Sequence, residues 1–310
     1  MAVSTLYALH GIVSASPAAF ISQIDSARPT PNSEFLDGVP AGFPYALFTS
    51  HFALNPDVTF ETPQIKTILD LTGALSSIVD LSAGNVDLHF KKFQDLGRRV
   101  ADASLAHKRF RMAQAYLSLG QITAGDRSRA VAACRLGTTY NGSSAPLVAA
   151  GSLALAGTPT AAQHFVAGPV FYNVGGGSTQ IPGVQSVSID LGRQVIQLSG
   201  DGEPYITFAA CQMYDPVITV QCVEHAWETF TAEGGVLTGA SIYLRKVSAL
   251  GRVADGTTEH IKFAGTAGLI TVTESTGGGN DPSITTYRIK LVGTDSVEPI
   301  TVNTAIAITT

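Results

Sequence analysis

Three polar residue types recur together twice in this chain. Arg98, Asp102 and His107 stand in LGRRVADASLAHKRF (Leu96–Phe110), and Arg252, Asp255 and His260 stand in LGRVADGTTEHIKF (Leu250–Phe263). An aspartate that orients a histidine can run a proton relay, but a repeated relay needs a repeated nucleophile or metal partner. No serine, cysteine or metal-ligating residue recurs beside the two copies. The set is therefore expected to build a turn, in which Arg pairs with Asp and His opens the next strand. Other chemistry is as sparse. GxxxxGK followed by Ser or Thr, GxSxG and HExxH are all absent, so the phosphate cradle, the nucleophile elbow and the zinc helix have no signature here. GGG at Gly175–Gly177 and at Gly277–Gly279 opens no helix and reads as a hairpin loop. Glu224 and Glu228 flank Trp227 at helical i,i+4 spacing, the pattern of a solvated face. His51 aligns with Cys211 and His225 also faces a non-histidine, which argues against a duplicated metal site. Cys134, Cys211 and Cys222 form no CxxC pair and are odd in number; they are expected as buried apolar residues. No catalytic, cofactor-binding or metal-ligating residue is assigned, and the chain is read as a non-enzyme.

Composition bounds what must position such residues. The 310 residues suit one large domain or two of about 150, a size that buries roughly 70% of its unfolded surface without disulfides. Hydrophobic residues make up 45% and charged residues 14%, a globular balance. The 31 Gly and 15 Pro lie between short runs rich in Val, Ile and Thr, which favours β-structure. A net charge of −5 does not suit a general nucleic-acid binder. One local basic run, Lys91 to Arg111, reads as a solvated strand face or an interface with acidic neighbours, with nucleic-acid binding as the alternative. The start, MAVSTLYALHGIVSASP, lacks the basic residues of a secretory signal, and the longest apolar tract, Pro146 to Gly157, is too short to span a bilayer. A soluble protein made in the cytoplasm, without membrane insertion, is expected. The sequon Asn141-Gly142-Ser143 is then a turn.

The recurrence extends over the whole chain. PYALFTSHFALNPDVTF (Pro44–Phe60) aligns without a gap on PYITFAACQMYDPVITV (Pro204–Val220). PAAFISQID (Pro17–Asp25) meets PGVQSVSID (Pro182–Asp190), LHFKKFQDLGR (Leu88–Arg98) meets IYLRKVSALGR (Ile242–Arg252), and APLVAAGSLALA (Ala145–Ala156) meets EPITVNTAIAIT (Glu298–Thr309). The blocks keep their order, so the chain reads as a duplicated domain, 1–157 and 158–310, joined near Ala156–Gln163.

The duplication also decides an ambiguous segment. KKFQDLGRRVADASLAHKRFRMAQAYLSL has a helical composition, but its twin EHIKFAGTAGLITVTES is β-branched and nearly alternating. Two copies of one fold share secondary structure, so both are expected as strands, Met112–Leu119 included. Each copy is expected to hold about seven strands and one short helix. In the first copy the helix is Pro63–Leu75, capped by Thr62 with Pro63 in its first turn, burying Ile65, Ile68, Leu69 and Leu75. VEHAWETFTAEGG is its twin. The fold class is mainly β: two tandem copies of a sandwich- or barrel-like domain, each with one short α-helix.

A duplicated, Gly/Thr-rich, mildly acidic β-domain with one helix and no active site, carrying blocks such as GVQSVSIDLGRQV and YITFAACQMYDPVITV, resembles the double-domain tail tube (major tail) proteins of tailed bacteriophages. The resemblance covers both halves. It implies a virion structural protein that forms homotrimeric rings of pseudo-sixfold symmetry and stacks them into a hollow tube. It implies an inner sheet continued by its neighbours, a long loop reaching the adjacent ring, contacts with other tail proteins, and DNA passing through the lumen without tight binding. The family has no catalytic residues to carry over. The basic run Lys91–Arg111 departs from a smooth lumen and is expected at an outer or inter-ring contact. Alternatives are another virion component (baseplate, tail-completion or receptor-binding protein) or a DNA-encircling clamp.

Overall fold

The computed structural model describes residues 6–30, 32–38, 48–93, 99–157, 159, 163–174, 177–223, 235–278, 281–294 and 296–309. The first half contains β1 (Leu6–Ala15), β2 (Ala18–Ile21), β3 (Ser26–Thr30), β4 (Ser33–Gly38), β5 (Phe48–Leu54) and β6 (Asp57–Thr62). Helix α1 (Ile65–Thr72) follows, then β7 (Val79–Asp80), β8 (Val86–Phe93), β9 (His107–Met112), β10 (Ala115–Gly125), β11 (Val131–Thr138) and β12 (Leu147–Leu153). The second half contains β13 (His164–Val174), β14 (Gly177–Ile181), β15 (Val184–Asp190), β16 (Gln194–Leu198), β17 (Phe208–Met213), β18 (Val217–Cys222) and β19 (Gly235–Leu237). It ends with β20 (Gly239–Ser248), β21 (Gly251–Arg252), β22 (His260–Gly265), β23 (Gly268–Gly278), β24 (Asp281–Leu291) and β25 (Thr301–Ile306).

The fold is mainly β, and its strands form antiparallel sheets packed as sandwiches. One outer sheet belongs to the first half, in the order β12-β9-β8-β1-β2. The other belongs to the second half, β14-β13-β20-β22-β25, with β21 on β20. Both halves contribute to a shared ten-stranded sheet, β19-β23-β24-β18-β15-β10-β11-β6-β3, with β7 on β10. The hairpins β4–β5 and β16–β17 stand apart as two-stranded ribbons. Buried side chains from the outer sheets and the shared sheet join one core, among them Leu88, Met112, Leu117 and Leu119 in the first half and Phe165, Ile242, Ile270 and Ile289 in the second.

Strand pairing repeats between the halves. In the outer sheets, β1·β2, β1·β8, β8·β9 and β9·β12 correspond to β13·β14, β13·β20, β20·β22 and β22·β25. In the shared sheet, β3·β6, β6·β11, β11·β10 and β10·β7 correspond to β15·β18, β18·β24, β24·β23 and β23·β19. The ribbons β4·β5 and β16·β17 correspond as well. Irregularities repeat too: β10 bulges between Leu119 and Gln121, and β23 between Val272 and Glu274. The bulge shifts the inward phase by one residue, so that Ile122 follows Leu119 into the core.

The register corrects two alignments. Ser26–Thr30, not Pro17–Asp25, is the twin of Ser186–Asp190, because β3 pairs β6 as β15 pairs β18. The bridge Phe93↔Arg99 matches Val247↔Arg252, so Arg99, not Arg98, is the twin of Arg252. The sequence-based expectation of about seven strands per half also falls short. Among the described residues the first half holds twelve and the second thirteen. The longest omission is β13, where Gly168-Pro169 interrupts the alternation; the chain bulges there and resumes.

Met112 closes β9, and Ala115–Leu119 lie in β10, so the strand assignment of this helix-like stretch holds on either side of a two-residue bend. Among the described residues α1 is the one helix. Ile65, Ile68, Leu69 and Leu75 are buried as the apolar spacing predicts. The cap differs. Gln64, not Thr62, precedes the first turn and makes no side-chain cap bond, while the Thr62 hydroxyl donates to the Gln23 carbonyl. Gln64 instead accepts the Ser22 and Gln23 amides and pins the β2–β3 connection. Most of the proposed twin helix, Glu224–Gly234, lies outside the described residues.

Leu69 is 1% exposed, so Leu69→Ala should remove about 2–5 kcal/mol of stability. Urea titration of variant and parent checks this, and equal midpoints would exclude the α1 stripe from the core.

Candidate assembly interface

The repeated Arg, Asp and His residues form a staple, and the structure shows its wiring twice. His107 accepts the Lys92 amide at Nδ1, 3.0 Å, and its Nε2 meets the Ala101 carbonyl at 2.9 Å. His260 does the same with the Lys246 amide, 3.1 Å, and the Ala254 carbonyl, 3.0 Å. An Nδ1 that accepts an amide leaves the proton on Nε2, so each ring is a neutral two-ended clip across its turn. Both rings are fully buried. In the second half the expected Arg252–Asp255 pairing is not formed. Asp102 pairs with Lys91 and Asp255 with Arg245, while Arg252 reaches across to Asp126 in the first half. Arg98 lies outside the described residues, as do Trp227, His225, Glu224 and Glu228.

The remaining polar candidates are likewise occupied in structure. In the basic run, Arg109 and Arg111 both reach Asp87, Lys91 holds Asp102, and Lys108 sits 4.6 Å from the centre of the Tyr7 ring. These residues lie on β8 and β9 of an outer sheet, away from the shared one. Asn141 accepts the Ser143 and Ser144 amides, and Gly142 takes φ 80°, so the sequon forms a turn. Cys134 and Cys222 are buried, and burial pushes the Cys134 thiol up, away from its reactive form; Cys211 is half-buried, contrary to expectation. A cleft of about 380 Å³ lies against the shared sheet, between Arg28, Glu61, Ser118, Arg135 and Arg193. Arg135 there is taken by Asp57, and Arg193 donates to the Leu75 carbonyl. Among the described residues no three His, Cys, Asp or Glu side chains converge on a metal position.

What the fold does expose is strand edge. Inside the chain, β10 of the first half pairs with β15 of the second, with Gln121↔Asp190, Ile122↔Ile189 and Ala124↔Val187 in register. The Leu191 amide donates to the Gly120 carbonyl, so Ile189 and Val187 also present their amides to β10. The twin of this β10 segment is Glu274–Gly278 on β23. Among the described residues no strand pairs with its outer edge; β19 covers only Gly268–Ile270. The twin of β15 is β3, which ends the sheet on the other side. The two unpaired edges are therefore the same two surfaces that already meet inside the chain. Pro29 stands where Ile189 presents its amide, so β3 lacks one ladder donor. Sequence reasoning does not find these edges, because the spacing matches Pro17–Asp25 rather than β3 to the block that holds β15.

No family model matches the chain, and no curated protein matches it.

Removing the His107 ring strands the Lys92 amide and the Ala101 carbonyl. His107→Ala and His260→Ala should each cost about 1–3 kcal/mol, read by urea titration, with no bound transition metal lost. A different histidine, His89, is expected to contribute to acid sensitivity. His89 is 3% exposed, and burial holds its ring below the usual histidine range, partly offset by Asp87. Below about pH 6.5 the unfolded chain then binds more protons than the folded one, so stability falls with pH through that window. His89→Leu should shrink the difference in urea midpoint between about pH 7.5 and 5.5; an unchanged difference would assign the effect elsewhere.

Proposed function

We propose that this chain is a structural subunit that joins copies of itself head to tail into closed rings, and that the rings stack into the hollow tail tube of a bacteriophage virion. The reading is carried by one observation: the two edges of the shared sheet that no strand covers among the described residues, Glu274–Gly278 and β3, are the twins of the two edges that pair inside the chain. A heterologous contact of this kind makes a ring when its rotation closes. Closure removes the edges, which otherwise recruit unwanted strands. Three chains would contribute six sheet segments, the number that the resemblance implies. In the repeated register Glu274 stands opposite Thr30 of the next chain and Gly277 opposite Ala27. The donor missing at Pro29 weakens the contact by one bond, which fits a subunit that waits for a nucleus before it polymerises. Formal charge of −5 suits a tube that passes DNA without gripping it.

Electron microscopy and light scattering over a concentration series, and imaging of the particle that carries the protein, test the reading. Rings and stacked tubes are expected. Gly277→Pro removes an outward amide from the open edge and should abolish them while leaving the monomer folded. A chain that stays monomeric throughout and never occurs in a stacked ring would end the proposal.

A further inference from the structure

The two ribbons are twins in different surroundings. Their register is identical, including the bulge: Gln194, Val195, Ile196, Gln197 and Leu198 correspond to Glu34, Phe35, Leu36, Asp37 and Gly38. The second ribbon, β16–β17, reaches back over the first half. Gln197 donates to the Tyr116 hydroxyl, and Arg193 to the Leu75 carbonyl. Tyr140 donates its amide to the Ile206 carbonyl at 2.7 Å, and its ring lies 4.7 Å from that of Tyr205. Beneath this ribbon Tyr116 is 2% exposed. Among the described residues the first ribbon is tied to its own chain at its base: Asn32 bonds Asn55, the Leu54 amide donates to the Pro204 carbonyl, and Ser50 and Ala53 line a cleft of about 440 Å³ with Gln197 and Pro204.

The seat itself is duplicated. Leu269 is the twin of Tyr116, since β23 pairs β24 and β19 as β10 pairs β11 and β7. Here nothing covers it among the described residues. Leu269 is 49% exposed, and Val236, directly across the β19·β23 ladder, is 69% exposed. Val292 is 51% exposed; it is the twin of Thr139, for its amide donates to Ala267 as that of Thr139 donates to Gln114. Three large apolar side chains thus line the surface whose counterpart in the first half is sealed by a ribbon. Apolar groups at adjacent cross-strand positions gain by being covered together.

We infer that the β4–β5 ribbon is an exchanged arm: it docks on the Val236–Leu269–Val292 surface of a second copy of this chain, as β16–β17 docks on Tyr116 within one copy. The occupant is a second copy because the chain itself shows the matching pair of surfaces, the second ribbon on Tyr116, and among the described residues leaves the twin seat at Leu269 without a ribbon. The arm lies between β3 and β6, so a neighbour that adds β3 to the open β23 edge brings the arm to the same side as that edge. The contact rests on the head-to-tail assembly proposed above and gives it a second, side-chain-specific component.

Chains with one introduced cysteine test it, in a Cys211→Ser background that keeps the buried Cys134 and Cys222. One chain carries Asp37→Cys and the other Leu269→Cys, and a short bismaleimide is added to the mixture. Gln197→Cys with Tyr116→Cys in one chain calibrates the reagent, because that contact is internal. A second mixed pair, Thr30→Cys with Glu274→Cys, reports sheet continuation by direct disulfide, since facing strand positions lie within disulfide reach. A covalent dimer from both mixed pairs is expected, with Leu269→Glu plus Val236→Glu abolishing the bismaleimide dimer. Dimer from the sheet pair but none from the arm pair overturns the arm while the assembly stands. Neither dimer at any concentration overturns both.

Discussion

Backbone pairing between β10 and β15 is the constraint on which the rest depends. Without it the halves would be two sandwiches on a linker. With it, their inner sheets become one, and the outer sheets are held over a common surface. The pairing is reinforced by side chains at either end. Gln121 donates to Ser188 within the ladder, and Arg252 meets Asp126 at the β10–β11 turn. Helix α1 adds a bridge between the halves, where Lys66 and Asp70 both bond Thr304 of β25 and Ser76 bonds Glu298. A pairing of this kind fixes register strongly, because a one-residue slip would turn Ile122 and Ile189 out of the core.

A repeated unit joined in this way is open at its ends. The strand edges and the ribbon seat that one half offers the other have twins that point away from the chain, and the residues at those twins differ. Where the partner is internal the position is sealed: Tyr116 lies under Gln197, with its ring filling the space over Gly137. The outward positions hold Leu269, Val236 and Val292 exposed. On β3, Pro29 removes a donor that Ile189 keeps. Pro29 and Leu269 differ from Ile189 and Tyr116 at these surfaces, whereas the bulges, ladders and staples that maintain the fold stay matched.

The His107 and His260 clips show how a chemical-looking motif can be structural. A neutral imidazole offers one donor and one acceptor about a ring's width apart, and a connection that must bind an amide on one side and a carbonyl on the other uses both. Asp102, held below the usual carboxylate range chiefly by the hydrogen bond from Lys91, anchors the same turn from its exposed side. Spacing alone cannot tell such a clip from a relay; the difference lies in what the far nitrogen touches.

Much of the fold was legible from the residues. Alternation of Val, Ile and Thr marked the strands, the i, i+3, i+4 stripe marked Ile65, Ile68 and Leu69, and self-comparison assigned β-structure to a stretch with helical composition. These signals are local or internal to the sequence, and a buried face imposes them wherever the element sits. Other features depended on which strands meet. Only the ladders show that Ser26–Thr30 answers Ser186–Asp190, that Arg99 answers Arg252, and that Asp102 takes Lys91 as its partner. Short strands such as β2, β3 and β7 carry too few residues for a period, and the bulge at Gly168-Pro169 hid a long one. The candidate interface was illegible for the same reason. An unpaired edge or an uncovered Leu269 is a statement about missing neighbours, and neighbours far apart in sequence are decided by tertiary pairing alone.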